Sequence, residues 1–322
     1  MIQPRIEKGR FVNPLPIVRP PAPHGAMGET PTWRDMREWR KNRPPHPKTV
    51  DIPRSPSTPA LAPAPSAGIA ATWIGHSSIV LQIDGLTLLC DPVWSHRLVS
   101  GLVYPRYTPP GVAWSALPRI DAVLISHNHY DHLDAPTMQR IPRETPVFCG
   151  TNVGPWFAAR GFRRVTQLGW WDAAPLGRHK VTFVPAQHFS ARTAFDRDRT
   201  LWGGFVVEGS EGHVAYFAGD SGYWDGFRMI GDAFPRIDLA MIPIGAYTPR
   251  WFMAPVHVDP PEAGRAFEDT RARAMLPIHW GAFRLADETV DEPPRVLQAW
   301  WKERGLDSAK LQVPPLGGTV TI

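Results

Sequence analysis

The sequence predicts an α/β protein whose body is built from two β-sheets. From Ala70 onwards, strand-like and helix-like segments alternate without an internal repeat, which favours one body over two independent domains. The 322 residues are 43% hydrophobic and 20% charged, which is typical of a globular chain with a sizeable core. The formal net charge of +5 is compatible with anionic substrates or membrane surfaces but is too small to identify either.

An N-terminal arm over residues 1–66 is expected to precede the body at 67–322. The arm holds 15 of the 37 prolines, and its proline runs cannot form a regular core element. Residues 32–35, Thr-Trp-Arg-Asp, form a capping-box pattern that predicts the start of a short helix. The helix would carry an apolar face and basic residues around the remainder: Trp33, Met36 and Trp39, and Arg34, Arg37, Arg40 and Lys41. We expect the apolar face to pack on the body; the alternative is that it docks on an anionic membrane surface.

Apolar alternation and turn residues place the elements of the body. A first strand at 72–75 leads into a hairpin in which strands at 77–83 and 86–90 flank the turn Asp84-Gly85. Further strands are predicted to end at 126 or to span 147–149, 180–187, 201–208, 213–218, 237–244 and 273–278, and short strands are expected to close the chain. Helices are predicted at 136–141, 155–159, 223–232 and 294–304, and one more has 260–262 in its first turn.

The segment at 120–134 runs from an apolar strand directly into four side chains that commonly bind metals. His127, His129, Asp131 and His132 form the pattern H-x-H-x-D-H, and imidazole with carboxylate suits zinc and other borderline divalent metals. Alternation directs the first two histidines to one side, and a turn can bring the other two residues beside them. A single histidine is usually an ordinary hydrogen-bonding residue. Packing does not explain so dense a group, so we predict the start of two adjacent metal sites.

Three more candidate ligands follow apolar strands elsewhere in the chain. His188, Asp220 and His279 each stand where a predicted strand meets a loop, which is where α/β proteins assemble sites from distant sequence. These residues complete a binuclear set: His127, His129 and His188 on one metal, Asp131, His132 and His279 on the other, and Asp220 between them.

Longer phrases accompany these ligands. They are Phe-Val-Asn-Pro near the start, Thr-Trp-Ile-Gly-His-Ser-Ser at 72–78, Asp-Pro-Val-Trp-Ser at 91–95, Asp-Ala-Val-Leu-Ile-Ser-His-Asn-His-Tyr-Asp-His-Leu-Asp at 121–134, Pro-Ile-Gly-Ala-Tyr-Thr-Pro-Arg-Trp-Phe-Met at 243–253, His-Val-Asp-Pro at 257–260 and Ile-His-Trp-Gly at 278–281. With them the chain resembles the metallo-β-lactamase superfamily, and within it the N-acylphosphatidylethanolamine-hydrolysing phospholipase D family. The resemblance implies an αββα sandwich with two zinc ions between the sheet edges. It also implies cleavage of a phosphodiester to release phosphatidic acid and an N-acylethanolamine.

The resemblance further implies catalytic roles for Asp131 and Asp220 at the metals and for His257 beside the substrate. Two cations would lower the pKa of a shared water, so that a metal-bridging hydroxide is available near neutral pH, and Asp220 would orient it. His257 would position phosphate or deliver a proton; the alternative is that it only hydrogen-bonds its own loop. His76 and Asp91 are expected to orient ligands.

Several alternatives remain open from the sequence. Arg192 and Arg250 could meet phosphate or could remain in solvent. Manganese or iron could replace zinc, although Asn128 stands where the superfamily's di-iron oxygen-reducing members have glutamate, which favours hydrolysis. Besides a phospholipid phosphodiesterase, the chain could be a hydrolase of another ester, such as a lactone or a nucleotide phosphodiester. It could also be a metal-dependent binding protein without turnover, a reading that the complete ligand set disfavours.

Partners and location are expected from absences in the sequence. No strong basic stripe marks a nucleic-acid site. No run of about 18 apolar residues and no secretory signal is found, so we expect a cytoplasmic protein, with peripheral association at the inner membrane surface and a homodimer both compatible with the chain. Cys90 and Cys149 are predicted to be buried free thiols.

Overall fold

A computed structural model describes residues 2–13, 15, 20–25, 32–45, 47–56 and 60–322. The strands are β1 (Arg5–Glu7), β2 (Arg10–Val12), β3 (Ile69–Gly75), β4 (Ser78–Ile83), β5 (Leu86–Cys90), β6 (Val103–Pro105), β7 (Ala122–Ile125), β8 (Val147–Gly150), β9 (Val165–Leu168), β10 (Ala173–Leu176), β11 (His179–Val184), β12 (Gly204–Glu208), β13 (Val214–Phe217), β14 (Leu239–Pro243), β15 (Ala274–Ile278) and β16 (Thr319–Thr321). The α-helices are α1 (Trp33–Asn42), α2 (Leu98–Gly101), α3 (Ala135–Gln139), α4 (Gly154–Ala158), α5 (Gly226–Ala233), α6 (Arg250–Met253), α7 (Pro260–Thr270) and α8 (Pro293–Glu303).

The predicted elements of the body are present, with bounds shifted by a few residues where local chemistry interrupts a strand. β11 ends at Val184 because Pro185 has no N–H to continue the ladder. The apolar run from Leu201 is buried, but pairing begins only at Gly204, since the Gly203 N–H donates to the carbonyl of Ser126, directly after β7 of the other sheet. The sequence reading did not predict β1, β2, β6, β9, β10, α2 or α6, all of which are short.

The strands form two large mixed sheets. The first has seven strands in the order β16-β3-β4-β5-β7-β8-β9, and it is parallel from β5 to β9. The second has six strands in the order β10 to β15, and it is parallel only from β13 to β15. Parallel strands carry their loops at one edge of a sheet, which is where ligand-binding residues collect in α/β folds.

The main core lies between the two sheets, and helices cover both outer faces. On β4, Leu81 faces the main core whereas its neighbour Val80 packs in a second cluster with Met138 of α3 and Phe157 of α4. Across the sandwich, α5, α7 and α8 cover the second sheet and contact one another in sequence. The architecture is therefore the predicted αββα sandwich. Cys90 and Cys149 are buried free thiols, as expected.

The N-terminal arm contributes to the core, which the sequence reading did not anticipate. Its β1–β2 hairpin places Phe11 in the main core, and Ile52 packs there as well. Both lie outside the proline runs, so the expectation that those runs build no core element does not extend to the whole arm. The division into an arm and a body remains a prediction. Within the described part of the chain, no helix has the length and apolar character needed to cross a membrane.

Helix α1 begins with the predicted capping box and is held on the body by Trp39 and by Arg43 directly after the helix, whose Nε donates to Asp287 at 2.9 Å. The Thr32 hydroxyl accepts the Asp35 N–H, and the Asp35 carboxylate accepts the Thr32 N–H at 2.7 Å. The Trp39 indole N–H donates to Asp287 at 2.6 Å, and its ring centroid lies 5.4 Å from that of Phe252. The expected packing is thus confirmed for Trp39. It is wrong for Trp33, which is 75% exposed.

We predict that Trp39→Phe loosens α1 from the body. The ring is kept, but a hydrogen bond to a carboxylate is lost, which is worth about 1–3 kcal/mol. Amides of α1 should exchange with deuterium roughly tenfold faster or more. The matched change Trp33→Phe alters an exposed ring and should leave exchange as in the wild type. Equal exchange in both variants would mean that the indole bond does not hold the helix.

Candidate metal centre

The strands that precede the predicted ligands end at one edge of the sandwich. β7 leads into the loop at 126–134, and β11, β13 and β15 lead to His188, Asp220 and His279. The seven predicted ligands all fall into groups whose potential ligand atoms lie within 4.8 Å of one another: His127, His129, Asp131, His132, His188, Asp220 and His279. The structure therefore brings the predicted residues together, while their binding of metal remains a prediction.

The Asp220 carboxylate lies at the centre of the site and is almost completely buried. Five imidazoles surround its Oδ2 atom: His132 Nε2 at 3.0 Å, His279 Nε2 at 3.0 Å, His188 Nε2 at 3.8 Å, His127 Nε2 at 3.9 Å and His257 Nδ1 at 4.0 Å. A carboxylate in this position can reach ions on both sides, as the predicted bridging role requires.

The remaining ligands form two groups, one on each side of Asp220. In the first ligand group, His129 Nδ1 lies 2.8 Å from His127 Nε2 and 3.3 Å from His188 Nε2. In the second ligand group, Asp131 Oδ2 lies 3.4 Å from His132 Nε2 and 3.6 Å from His279 Nε2. The two groups contain the residues of the two predicted sets, while their division between two metals remains a prediction.

Unpaired polar atoms inside the site indicate that cations fit it. Among the described residues, Asp220 Oδ1, His279 Nδ1 and His257 Nδ1 are buried and have no hydrogen-bond partner. Buried polar atoms are rarely left without a partner, and each one that is needs an explanation such as a bound ion. The donor set of imidazole and carboxylate is also that of zinc sites. The residues present therefore fit two metal ions.

The protonation states favour metal binding in the first ligand group. Burial lowers the pKa of His129 to about 4 and that of His188 to about 3, so both rings are neutral at pH 7 and each has a free lone pair. Burial opposes ionisation of Asp131 and Asp220, but neighbouring imidazoles, His132 foremost, outweigh it and hold the pKa of both carboxyls well below the usual range. The two carboxylates thus supply the negative charge that a cation needs.

Asp91 is placed to orient a ligand, as predicted from the sequence. Its Oδ2 lies 2.7 Å from His132 Nδ1, on the opposite side of that ring from Asp220. Its Oδ1 accepts the Ser126 N–H at 2.8 Å, which ties it to the end of β7. A carboxylate on the far nitrogen fixes the tautomer and direction of a metal-binding histidine. The role itself remains a prediction.

His76 contacts the second ligand group and holds it from the side. Its Nε2 lies 2.9 Å from Asp131 Oδ2. Its backbone is joined to that of His279, whose N–H donates to the His76 carbonyl at 3.0 Å. Both histidines have a positive φ, 55° and 63°, a conformation that costs non-glycine residues about 1–3 kcal/mol and that is concentrated at functional sites.

Both arginines considered for phosphate contact are half-buried and bonded to the protein, so neither remains in solvent. Arg192 donates to the carbonyls of Asn128 and Leu133, at 2.8 Å and 2.7 Å, and so bridges the two ends of the ligand loop. Burial lowers its pKa to about 10. Arg250 donates to the His257 carbonyl at 3.0 Å and to Glu262 at 2.6 Å. Each therefore holds backbone next to the site.

His257 lies beside the candidate ligands but is not one of the seven predicted ones. Its ring centroid is 5.1 Å from that of His188 and 5.2 Å from that of His279. Its Nδ1 makes no hydrogen bond to a described residue, which argues against a purely loop-bracing role for that atom. Burial holds its pKa well below the usual range, so the ring is neutral with one N–H and one lone pair.

Sequence reasoning missed two residues that hold the ligands in place, Asn13 and Arg192. The Asn13 side chain bonds to both backbone groups of His188, at 2.7 Å and 2.9 Å. Asn13 stands in the phrase Phe-Val-Asn-Pro, but a contact across 175 positions leaves no periodic signal in one sequence. Arg192 was noted as a charge, whereas its partners are carbonyl oxygens, which every residue carries.

Comparison with known proteins agrees with this geometry. The profile of the family described as "Beta-lactamase superfamily domain" matches residues 87–280. An uncharacterized protein of Mycobacterium tuberculosis is 40% identical over 254 residues, which cover 76% of this chain and 67% of that protein. The "N-acyl-phosphatidylethanolamine-hydrolyzing phospholipase D 1" of Caenorhabditis elegans is 36% identical over 244 residues, 71% of this chain and 68% of the relative. Further relatives include metal-dependent hydrolases of the UPF0173 group.

Solved structures share the fold. An isothiocyanate hydrolase from Delia radicum gut bacteria superposes with a TM-score of 0.65 and 18% identity, covering 79% of this chain and 99% of that one. Fold, ligand geometry and relatives together define a metal-dependent hydrolase with the metallo-β-lactamase fold. The chain belongs to the metallo-β-lactamase superfamily, in the branch that contains the N-acylphosphatidylethanolamine-hydrolysing phospholipases D.

We predict that Asp220→Ala empties or displaces at least one metal. Wild-type protein loaded with zinc should hold two equivalents, because each ligand group is complete only with the shared carboxylate. The variant should hold about one or none by atomic emission after gel filtration. Asp238→Ala is the control, since Asp238 is another buried carboxylate of the same sheet that bonds to the Val214 N–H away from the site. A fully loaded wild type with one equivalent or fewer would contradict the binuclear assignment.

Proposed function

We propose that this protein is a zinc-dependent phosphodiesterase that hydrolyses phospholipids of the N-acylphosphatidylethanolamine type, with phospholipase D-like regiochemistry. The observation that carries the proposal is the pair of ligand groups on either side of the buried Asp220, with the neutral ring of His257 next to them. The choice of substrate class is supported by two relatives, the nematode phospholipase at 36% identity and the "N-acyl-phosphatidylethanolamine-hydrolyzing phospholipase D, mitochondrial" of Saccharomyces cerevisiae at 30% identity. The yeast relative is longer, and the matched region is 55% of it.

In this proposal two zinc ions, held by the two ligand groups, would activate water and offset negative charge on the phosphoryl oxygens. Asp220 fixes the spacing between the groups. Asp91 and His76 keep His132 and Asp131 in orientation. The burial of the ligands excludes bulk water, which strengthens each electrostatic contact in the site.

His257 would act on the substrate and not on the metals. Its neutral ring can donate one N–H to a phosphoryl oxygen, or it can accept a proton from the attacking water at its lone pair and pass that proton to the leaving alkoxide. Arg250 holds the His257 carbonyl and is in turn paired with Glu262 in the first turn of α7. The loop is thereby anchored to a helix that packs on the second sheet, so the ring has a defined position.

A surface next to the site supports access from a lipid layer. Leu102, Val103, Tyr104 and Phe195, here termed the apolar rim, are large exposed apolar side chains. The first three belong to residues 98–105, which contain α2 and β6 and are termed the first loop, and Phe195 belongs to residues 189–198, termed the second loop. Both loops meet at Tyr130 of the ligand loop. Tyr130 packs in one cluster with the base of the first loop, and its hydroxyl donates to the Arg192 carbonyl at the base of the second.

Positive charge borders the apolar rim. Exposed Arg97 stands at the base of the first loop, and Arg197 on the second loop is about half exposed in its side chain. The Arg197 guanidinium lies 4.3 Å from the ring of Phe189, which in turn packs on His129. Apolar tips flanked by cations suit the headgroup region of an anionic bilayer.

The activity is tested by turnover of a small panel by zinc-loaded protein. The panel contains an N-acylphosphatidylethanolamine, an unmodified phosphatidylethanolamine, an aryl phosphodiester and an acyl lactone, with metal counted in the same sample. We expect phosphatidic acid from the lipids and little lactone opening. Lactone opening without phosphodiester cleavage would replace the proposal by the other-ester alternative, and absence of all turnover with two zinc ions bound would favour a binding protein.

We predict that His257→Ala retains its metals and loses about 10²- to 10⁴-fold in kcat, because a group that transfers protons or stabilises charge is removed. KM and zinc content should change little. His213→Ala is the control, since that imidazole pairs with Asp84 away from the ligands. Loss of zinc from His257→Ala would assign the residue to the metals instead of the substrate.

We predict that the apolar rim, not helix α1, mediates vesicle binding. Leu102→Ser combined with Tyr104→Ser and Phe195→Ser should weaken sedimentation with phosphatidylglycerol-containing vesicles and slow cleavage of vesicle lipid. Cleavage of a soluble aryl phosphodiester should be unchanged. The comparison variant replaces Arg37, Arg40 and Lys41 by Ser on α1, which already packs on the body through Trp39. Loss of vesicle binding only in the comparison variant would instead support docking by the arm.

A further inference from the structure

The N-terminal segment at 10–13 reaches into the candidate metal centre. The Asn13 side-chain amide donates to the His188 carbonyl at 2.7 Å, and its oxygen accepts the His188 N–H at 2.9 Å. Both backbone groups of a candidate ligand are thus paired with a single side chain that lies 175 positions earlier in the chain. This contact gives Asn13, in the phrase Phe-Val-Asn-Pro, a physical role that is separate from the packing of the fold and from the chemistry proposed above.

His188 depends on this contact because it lies outside the regular ladder of the sheet. β11 ends at Val184, and residues 189–198 form an irregular loop. No other described residue hydrogen-bonds to the two backbone groups, and His188 is completely buried. Each buried backbone group left unpaired costs about 1–3 kcal/mol. The ring is fixed separately, since its Nδ1 lies 2.8 Å from the Val256 carbonyl.

The segment that carries Asn13 is itself tied to the loop after His188. The buried ring of Phe11 packs in the main core. The backbone N–H of Phe11 donates to the Asp198 carbonyl at 2.7 Å. Asp198 closes the loop, because its N–H donates to the Ser190 carbonyl at 2.8 Å and its carboxylate accepts the Ser190 N–H at 3.2 Å. Segment 10–13, the loop and His188 therefore form one hydrogen-bonded unit.

We infer that Asn13 is a positioning residue for the first ligand group, and that docking of segment 10–13 is coupled to metal binding at His127, His129 and His188. The inference rests on the metal assignment made in the proposed function. Residues that orient metal ligands typically contribute 10- to 100-fold, roughly, in metal affinity. Coupling of this kind is reciprocal, so metal in the first ligand group must also hold the segment in place.

The affinity test uses Asn13→Ala in the full chain, with zinc titrated against a competing chelator. We expect one of the two zinc equivalents to bind about 10- to 100-fold more weakly and the other to be unchanged. Asn13→Asp keeps the acceptor for the His188 N–H, so its affinity for the weakened zinc equivalent should lie between that of the wild type and that of Asn13→Ala. Asn152→Ala is the matched control, because Asn152 also donates from its amide to a backbone carbonyl of this region, that of Arg199 at 3.1 Å, and touches no ligand.

A second measurement tests the reciprocal effect in wild-type protein, and it does not depend on how any variant folds. The Phe11 amide should exchange with deuterium more slowly with zinc than without it. The inference would be overturned if Asn13→Ala bound both zinc equivalents with wild-type affinity. It would also be overturned if the exchange rate of the Phe11 amide were the same with and without zinc. Retention of both zinc ions by His188→Ala would be a different failure, since it would remove His188 from the ligands and contradict the proposed metal centre itself.

Discussion

The structure depends above all on a single buried carboxylate, that of Asp220, surrounded by imidazoles. Moving a carboxylate from water into a protein interior costs several kcal/mol unless partners compensate. Here the nearest partners are His132 and His279, both at 3.0 Å, and one carboxylate oxygen still has no hydrogen-bond partner among the described residues. Positive charge on a bound cation or on a protonated ring would stabilise this carboxylate. Burial opposes protonation of the two nearest rings, but Asp220 outweighs it and raises the pKa of His279 to about 9. The more distant rings of the first ligand group stay neutral, with the pKa of His188 lowered to about 3.

The second layer of contacts around the ligands consists mainly of bonds to backbone. Arg192, Arg250 and Asn13 use their side chains to fix main-chain carbonyls or N–H groups next to ligands, while Asp91 and His76 fix ligand side chains. Several candidate ligands are therefore held in place twice, by hydrogen bonds to their backbone and by hydrogen bonds to their side chain. Such redundancy is what tolerates a positive φ at both His76 and His279.

Much of the fold and of the site was predictable because the relevant signals are local. The loop at 126–134 follows a strand whose apolar run is continuous, and polar residues at the ends of other strands gave His188, Asp220 and His279 directly. The capping box of α1 could be predicted for the same reason, because it lies within four consecutive residues. The contacts of Asn13 and Arg192 were not, since they pair a side chain with a carbonyl that any residue would supply. Trp33 shows a further limit: periodicity identified an apolar face, but only the neighbouring surface decides which turn of the helix is covered.

The ligands of each group come from both layers of the sandwich. The first ligand group takes His127 and His129 from the end of β7 in the seven-stranded sheet and His188 from the six-stranded sheet. The second ligand group takes Asp131 and His132 from the loop after β7 of the seven-stranded sheet and His279 from the end of β15 in the six-stranded sheet. An ion bound in either group is therefore a cross-link between the layers. Its binding free energy would add directly to the work of separating the sheets, by about 2.7 kcal/mol at a hundredfold excess over Kd. Metal supply would then set the thermal lifetime of the protein as well as its chemistry.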